Sequence, residues 1–338
     1  MIDTIKIEGF KSIKSQEFNF KGLTVLTGLN STGKSSVIQS LLLLSNFSSF
    51  SSELRDYVKK FLAFEDVRNR YENAREIKIN VLAKDVSSTL SIKRDENWTI
   101  DNKEDIFNFE ENLFYISSNR IGQENIAKYD EDIKFGTDGK YLFGYFEQHK
   151  KDTLSVNGEE TTLETELSYW LKYILDIELI LRTTKITADD VKVTFTSDGL
   201  DNLSPFNLGA GNSYLAKILI MGLACKKRNI LIIENPEIHL HPKAQAKLAD
   251  FFVFLENMGI QVIIETHSEH FINKLRYNVY KKKLNSDDIV IYYKPSIQEE
   301  FKKISISSNG HFINDEKSEI AFPSGFFDST LSELLEIM

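Results

Sequence analysis

Hydrophobic and polar positions along this chain fall into two patterns, short alternating stretches and short unbroken apolar runs. Residues 4–8 (TIKIE) alternate as a half-buried strand does, 16–19 read as a second strand, and 76–81 with 89–93 read as a hairpin. Residues 23–27 (LTVLT), 113–117 (LFYIS), 229–233 (NILII), 261–265 (QVIIE) and 288–293 (DIVIYY) are instead nearly continuous runs, the mark of strands buried on both faces. Helical spacing fills the intervals at 36–45, around 53–73, at 162–181 with Trp170 on the apolar face, at 214–225, at 242–256 behind Pro242, and at 268–282; 191–196 is a further strand. Apolar strands alternating with helices predict an α/β fold with a largely parallel central sheet. Polar residues gather just after the strand ends, where such sheets hold their ligands.

The densest of these junctions is the first. The run at 23–27 leads into Gly28-Leu29-Asn30-Ser31-Thr32-Gly33-Lys34-Ser35, which meets G-x-x-x-x-G-K-[ST] at every fixed position, and a predicted helix follows from Ser36. Glycines let the backbone close so that N–H groups and a helix N-terminus face phosphate. In that reading Asn30, Ser31, Thr32, Gly33, Lys34, Ser35 and Ser36 form the nucleotide cradle, Lys34 reaches the β- and γ-phosphates, and the Ser35 hydroxyl serves Mg²⁺. ATP with Mg²⁺ is the expected cofactor. A P-loop also needs a strand-end acid for the metal, and Glu234, directly after NILII, is the candidate.

Taken together, GFKSI, GLNSTGKSS, a Gly-rich turn before an apolar helix, IIENPEIHLHP and ETHSEH resemble the RecF/SMC branch of ABC-type ATPases. More narrowly, the chain is similar to compact prokaryotic AAA-type ATPases with a P-E-x-H-L-H-P turn and a P-x-GFFD tail, here Pro323 to Asp328, found in anti-phage defence and DNA-repair systems. The resemblance thins between about residues 50 and 200. It implies one ATPase head over 1–338, with a mainly parallel P-loop sheet, an antiparallel β subdomain and a helical lobe. Lobe I would span about 1–150 and 228–294, the helical signature lobe about 151–227, and a tail 295–338. It further implies a homodimer sandwiching two ATP, in which the signature loop of one copy meets the nucleotide of the other. Leu208-Gly209-Ala210-Gly211-Asn212 stands where the family has L-S-G-G-Q; Gly209 replaces the serine, and Ser213 is the candidate to replace its hydroxyl. By the same resemblance His267 is the switch histidine, and Gln123 is the candidate Q-loop glutamine and third metal ligand.

One departure concerns turnover. The family's Asp-Glu pair is Glu234-Asn235 here, and an amide cannot take a proton near neutral pH. Slow hydrolysis follows as an expectation, with Glu237 as the nearby substitute base. His239, His241, His267 and His270 also allow a zinc reading, but no carboxylate or cysteine ligand is obvious beside them and the resemblance already explains His267; the alternative for His239 and His241 is a turn facing the second subunit.

Composition bounds the rest. A single cysteine, Cys225, fits a reducing cytoplasm, no apolar run is long enough for a bilayer, and the N-terminus lacks a signal core. A net charge of −9 argues against a uniformly basic binder but leaves room for local phosphate contacts at Lys150-Lys151, Lys226-Lys227-Arg228 and Lys281-Lys282-Lys283. Three functions compete: an ATPase whose dimerisation engages DNA or a partner protein, a nearly hydrolysis-dead regulatory subunit of a separate toxin or nuclease effector, and a nuclease with a fused Toprim domain. The last is disfavoured, because no cluster of acidic metal ligands follows ETHS.

Overall fold

The computed structural model describes residues 1–48, 52–59, 63–84, 86–94, 99–102, 107–156 and 158–323. The P-x-GFFD tail beyond Pro323 lies outside them. The central sheet has seven strands, in the order Phe312–Ile313, Lys302–Ile306, Ile289–Lys294, Leu23–Gly28, Gln261–Glu265, Ile230–Glu234, Leu113–Ile116. The last five are mutually parallel, and the first two are antiparallel additions at one edge. All residues of Leu23–Gly28, Gln261–Glu265 and Ile230–Glu234 are buried, as unbroken apolar runs require.

Successive residues of these strands feed opposite cores, because side chains alternate across a strand. Leu231 and Ile233 enter one core, and Ile230 and Ile232 the other. The second core is closed by helix Ser35–Ser48 and by an antiparallel sheet ordered Ile13–Asn19, Thr4–Phe10, Glu76–Ala83, Val86–Lys93, Thr99–Asn102. The first is closed by helices Leu142–His149, Leu163–Leu175, Ala210–Ala224, Pro242–Asn257 and Glu269–Tyr280. A smaller antiparallel sheet of Leu179–Lys185, Asp190–Ser197 and Leu200–Leu203, with Ile126–Lys128 also on Asp190–Ser197, lies beside helix Leu142–His149.

Two expected helices are shorter than their patterns. The one expected over 162–181 stops at Leu175, where Asp176 turns left-handed (φ 59°) and its N–H closes on the Lys172 carbonyl. Leu179 and Leu181, which continue the helical spacing, pair instead with Ser197 and Phe195 as strand. Around 53–73 the described residues form helices Ser52–Val58 and Phe64–Val67 before an extended bridge from Arg68 to Phe10. Helix Leu142–His149 and the hairpin Thr153–Val156/Glu159–Thr162 add to the elements that the sequence pattern predicts. No helix among the described residues is long and apolar enough to cross a membrane.

Candidate nucleotide site

The P-loop leaves the sheet at Gly28, which has φ 134° and whose absent Cβ would lie 2.2 Å from the Lys294 carbonyl oxygen of the adjacent strand. Gly33 is as constrained (φ 103°), since a Cβ there would lie 1.8 Å from Ser12 Oγ. Both positions therefore demand glycine. Asn30 and Ser31 form the exposed outer rim, with Ser31 also left-handed (φ 60°). Thr32 Oγ1 and Lys34 Nζ donate to the Leu29 carbonyl at 2.8 and 2.6 Å. Lys34 is only 3% exposed, and burial lowers its pKa, opposed by the charge of Glu265. Helix Ser35–Ser48 starts directly behind it, with Ser35 half-buried and Ser36 buried. The loop thus presents a helix N-terminus and an ammonium group to one point, as an anion cradle needs.

Strand order places the acids. The strand next to the P-loop strand is Gln261–Glu265, and Ile230–Glu234 comes one further out. Glu265 pairs in register with Leu26 on one side and with Glu234 on the other. Two buried carboxylates therefore stand side by side at the strand ends. Glu234 Oε1 accepts from the Tyr115 hydroxyl and Oε2 from the Ser118 N–H, both at 3.1 Å. The Tyr115 hydroxyl also lies 2.7 Å from that of Tyr57, and burial, then the charge of Glu234, raises the Tyr115 pKa well above the ordinary value. Glu265 is pushed up to about 7, first by burial and then by Glu234, with Ser35 and Lys34 opposing.

Asn235 has φ 45°, a conformation that Asn adopts more readily than most residues. Its backbone is fixed on both sides: its N–H donates to the Glu265 carbonyl (2.7 Å), and its carbonyl accepts from Arg120 Nη2 (2.8 Å). Arg120 also donates to the Glu234 carbonyl (2.8 Å) and stacks on Tyr214 of the helix after the Gly-rich turn. Glu237 Oε1 accepts from the His267 N–H at 2.7 Å, whereas its Oε2 is buried without a hydrogen-bond partner. The His267 ring lies at the P-loop beside Gly28, and partial burial, then Lys34, pushes its pKa down to about 4. Lys34, Ser35, Glu234, Glu265, Glu237 and His267 thus converge on one site. Orphaned carboxylate oxygens beside a serine hydroxyl are the donor set a hard divalent cation takes, so these residues fit Mg²⁺.

The other expected residues lie elsewhere. Helix Ala210–Ala224 begins at Gly209 without a side-chain cap, so no side chain takes its first-turn N–H groups, and that of Asn212 donates to the Gly209 carbonyl (3.0 Å). Gly211 packs on the histidine-rich turn, where a Cβ would lie 2.4 Å from the His239 carbonyl oxygen, whereas Gly209 has open space. Ser213 corrects the expectation made for it. It is 1% exposed behind the first turn of the helix, so its hydroxyl cannot stand in for the missing serine at the surface. Gln123 makes its hydrogen bonds to the Pro205 and Leu208 carbonyls (2.8 and 2.7 Å), tying it to the Gly-rich turn instead of Ser35 or Glu234. His239 packs on Tyr214, His241 caps helix Pro242–Asn257 through the Lys243 N–H, and His270 lies in a groove with Arg276 and His311. Among the described residues no group of three or more His, Cys, Asp or Glu is arranged to hold a metal ion by itself.

Sequence reasoning missed Glu265, Arg120, Tyr115 and Ser118. Glu265 carried a usable signal, since it ends an apolar strand just as Glu234 does. Arg120, in SNRIGQEN, carried none: besides the nearby Ser117 carbonyl, its partners at the site are carbonyls more than a hundred residues away.

The profile of the AAA_21 family, described as "AAA domain, putative AbiEii toxin, Type IV TA system", matches residues 23–273. Septu protein PtuA of Bacillus thuringiensis is 23% identical over 336 residues, covering 89% of this chain and 81% of that protein. The Old nuclease of Escherichia phage P2 is 31% identical over 116 residues, which span 31% of this chain but 20% of that protein. Among solved structures, the SmcHead bound to the C-winged helix domain of ScpA superposes with a TM-score of 0.59 at 11% identity, covering 90% of this chain and 98% of that one. An Smc head with an extended coiled coil, bound to the C-terminal domain of ScpA derived from Pyrococcus furiosus, gives 0.58 at 10% identity and 99% coverage of both. With its P-loop, its paired strand-end carboxylates and a fold like that of SMC heads, the chain belongs to the AAA_21 family of P-loop ATPases.

Proposed function

We propose that this protein binds ATP with Mg²⁺, dimerises around two nucleotides, and uses the dimer to engage a separate effector protein or DNA in prokaryotic anti-phage defence or DNA repair, in the cytoplasm. The observation that carries the nucleotide reading is Lys34, buried at the mouth of a loop whose two glycines admit no side chain. Ser35 and Glu234 would hold Mg²⁺, which supplies charge neutralisation at the phosphates. Gln123 joins them only by leaving the Gly-rich turn. His267, whose pKa is held down at about 4 by burial and Lys34, would sense the γ-phosphate. Gly209, Ala210, Gly211 and Asn212 would offer backbone N–H groups to the other copy's nucleotide.

Asn235 supports slow turnover. It occupies the place of the family's glutamate, cannot act as a base, and has a backbone anchored by Arg120 and Glu265. Glu237, with one orphaned oxygen, is the substitute. The second reading, a nearly hydrolysis-dead regulatory subunit of a toxin or nuclease, rests on this same residue. Similarity to a fifth of the Old nuclease gives no support for intrinsic nuclease activity.

The test is solution size with and without ATP–Mg²⁺, together with phosphate release, for wild type, Lys34→Ala and Asn235→Glu. The expected result is an ATP-dependent dimer that Lys34→Ala abolishes, with wild-type release well below ~1 per second and a rise in Asn235→Glu. Release in the range of ~1–100 per second would replace the clamp reading with a working ATPase using Glu237. No change in size with ATP would remove the sandwich.

A further inference from the structure

Glu234 is the acid that the sequence offers for Mg²⁺, but both of its oxygens already have partners in Tyr115 and Ser118. Its strand is also the second from the P-loop strand, roughly 10 Å away at ordinary strand spacing, whereas Glu265 is one spacing of about 5 Å away. Glu265 is 5% exposed, and its Oε2 is buried with no hydrogen-bond partner. The groups facing it are Lys34, Ser35, Glu234 and Glu237, drawn from the P-loop helix and from the neighbouring strand and its turn. A carboxylate oxygen orphaned inside a protein is costly, and it is kept where a ligand completes it. Nothing in the fold of these strands requires an acid there, since Glu265 enters the sheet hydrogen bonding through its backbone alone.

We propose that Glu265 is a second carboxylate that holds the divalent cation against the P-loop, opposite Ser35 and alongside Glu234, the outer, hydrogen-bonded acid. This rests on the nucleotide reading and sharpens it: the cation is gripped between two adjacent strand ends instead of by the outer strand alone. Two consequences have opposite sign. Before the cation arrives, the Glu265 charge repels the triphosphate; once it has arrived, Glu265 becomes its ligand. Glu265 therefore makes ATP binding dependent on Mg²⁺.

The experiment is ATP affinity by calorimetry, in EDTA and in Mg²⁺, for wild type, Glu265→Gln, Glu234→Gln and Lys34→Ala. Glu265→Gln is expected to bind ATP about three- to tenfold more tightly in EDTA, and to lose about ten- to a hundredfold of the ratio between the Mg²⁺ and EDTA affinities. Its melting temperature without nucleotide is expected to stay level or rise, because a buried charge has been removed. An unchanged ratio in Glu265→Gln, with ATP still bound and the ratio lost in Glu234→Gln, would overturn the proposal. A wild type that binds no ATP in either medium would overturn the nucleotide reading and this proposal with it. Glu265→Asp guards against misfolding of the amide variant. It retracts the carboxylate by one methylene, so the Mg²⁺ effect should fall and Ca²⁺, with its longer bonds, should restore part of it. Equal losses with both cations would count against direct ligation.

Discussion

At the scale of single residues, Gly209 and Gly211 differ sharply although both stand in the Gly-rich turn. A methyl group at 211 would collide with the His239 carbonyl, a backbone atom that cannot rotate away, whereas 209 faces open space. Gly211→Ala is expected to destabilise the protein by about 1–3 kcal/mol and to weaken the ATP-dependent dimer, because the helix start must move off the histidine turn. Gly209→Ser should leave stability within about 0.5 kcal/mol of wild type while restoring the hydroxyl that the family has there. Thermal melts and sedentation-based sizing with ATP check both; a Gly211→Ala protein as stable as Gly209→Ser would contradict the packing described. The same logic applies to Asn235→Glu. The new side chain must adopt φ near 45°, at a cost of about 1–2 kcal/mol. A gain in phosphate release with a small loss in melting temperature is therefore the expected pair of results.

At the scale of elements, helix Ala210–Ala224 is held to the chain after Leu113–Ile116 by a buried ion pair. Lys217, fully buried, donates to Glu124 at 2.6 Å and lies over the Phe143 ring. Burial lowers the Lys217 pKa and raises that of Glu124, each partner opposing the shift of the other. Lys217→Met alone leaves Glu124 half-buried and unpaired, and should cost about 2–3 kcal/mol; adding Glu124→Gln should recover much of it. Chemical denaturation of the two single variants and the double variant closes that cycle. Helix Pro242–Asn257 carries a different signature. Burial, then Asp288, pushes Glu256 up to about 7 from its ordinary 4.5. A carboxyl with a raised folded-state pKa contributes stability that is fully present below the unfolded value and lost as pH rises through about 7. Glu256→Gln should therefore melt above wild type at about pH 8, with the gap closing towards about pH 5. A gap that widens on acidification would show that the direction is wrong.

At the scale of the whole molecule, the basic runs at 226–228 and 281–283 lie together at the end of the sheet opposite the P-loop. The Arg228 N–H donates to the Gly259 carbonyl, and Asn257, two residues before Gly259, donates to the Lys283 carbonyl. If DNA is the partner and uses this face, charge reversal at Lys227 and Lys282 should weaken binding alike for all sequences. Each lost phosphate contact should flatten the slope of log affinity against log salt by about 0.9. DNA binding with an unchanged slope would place the contact elsewhere.

The local chemistry was legible in the chain itself. The P-loop, the strand ahead of it and the helix behind it follow from neighbouring residues, because glycine conformation, β-branching and helix spacing act over a few positions. Strand Gln261–Glu265 was read to its ends for the same reason. Where partners far along the chain decide, the pattern misled: Leu179 and Leu181 continue a helical spacing and yet are strand, because Ser197 and Phe195 offer them a ladder. Ser213, the candidate by resemblance to replace the missing serine hydroxyl, is buried, since position in a motif does not say which side of the helix meets the core.

By itself, then, the sequence determined a P-loop ATPase of α/β class and most of the residues that gather around its P-loop. Only the tertiary structure decided which acid stands beside that loop. Strand order is a matter of which apolar faces pack against one another across long separations in sequence, and no short stretch encodes it. It set Glu265 between Lys34 and Glu234, and Arg120 on the carbonyls of Glu234 and Asn235.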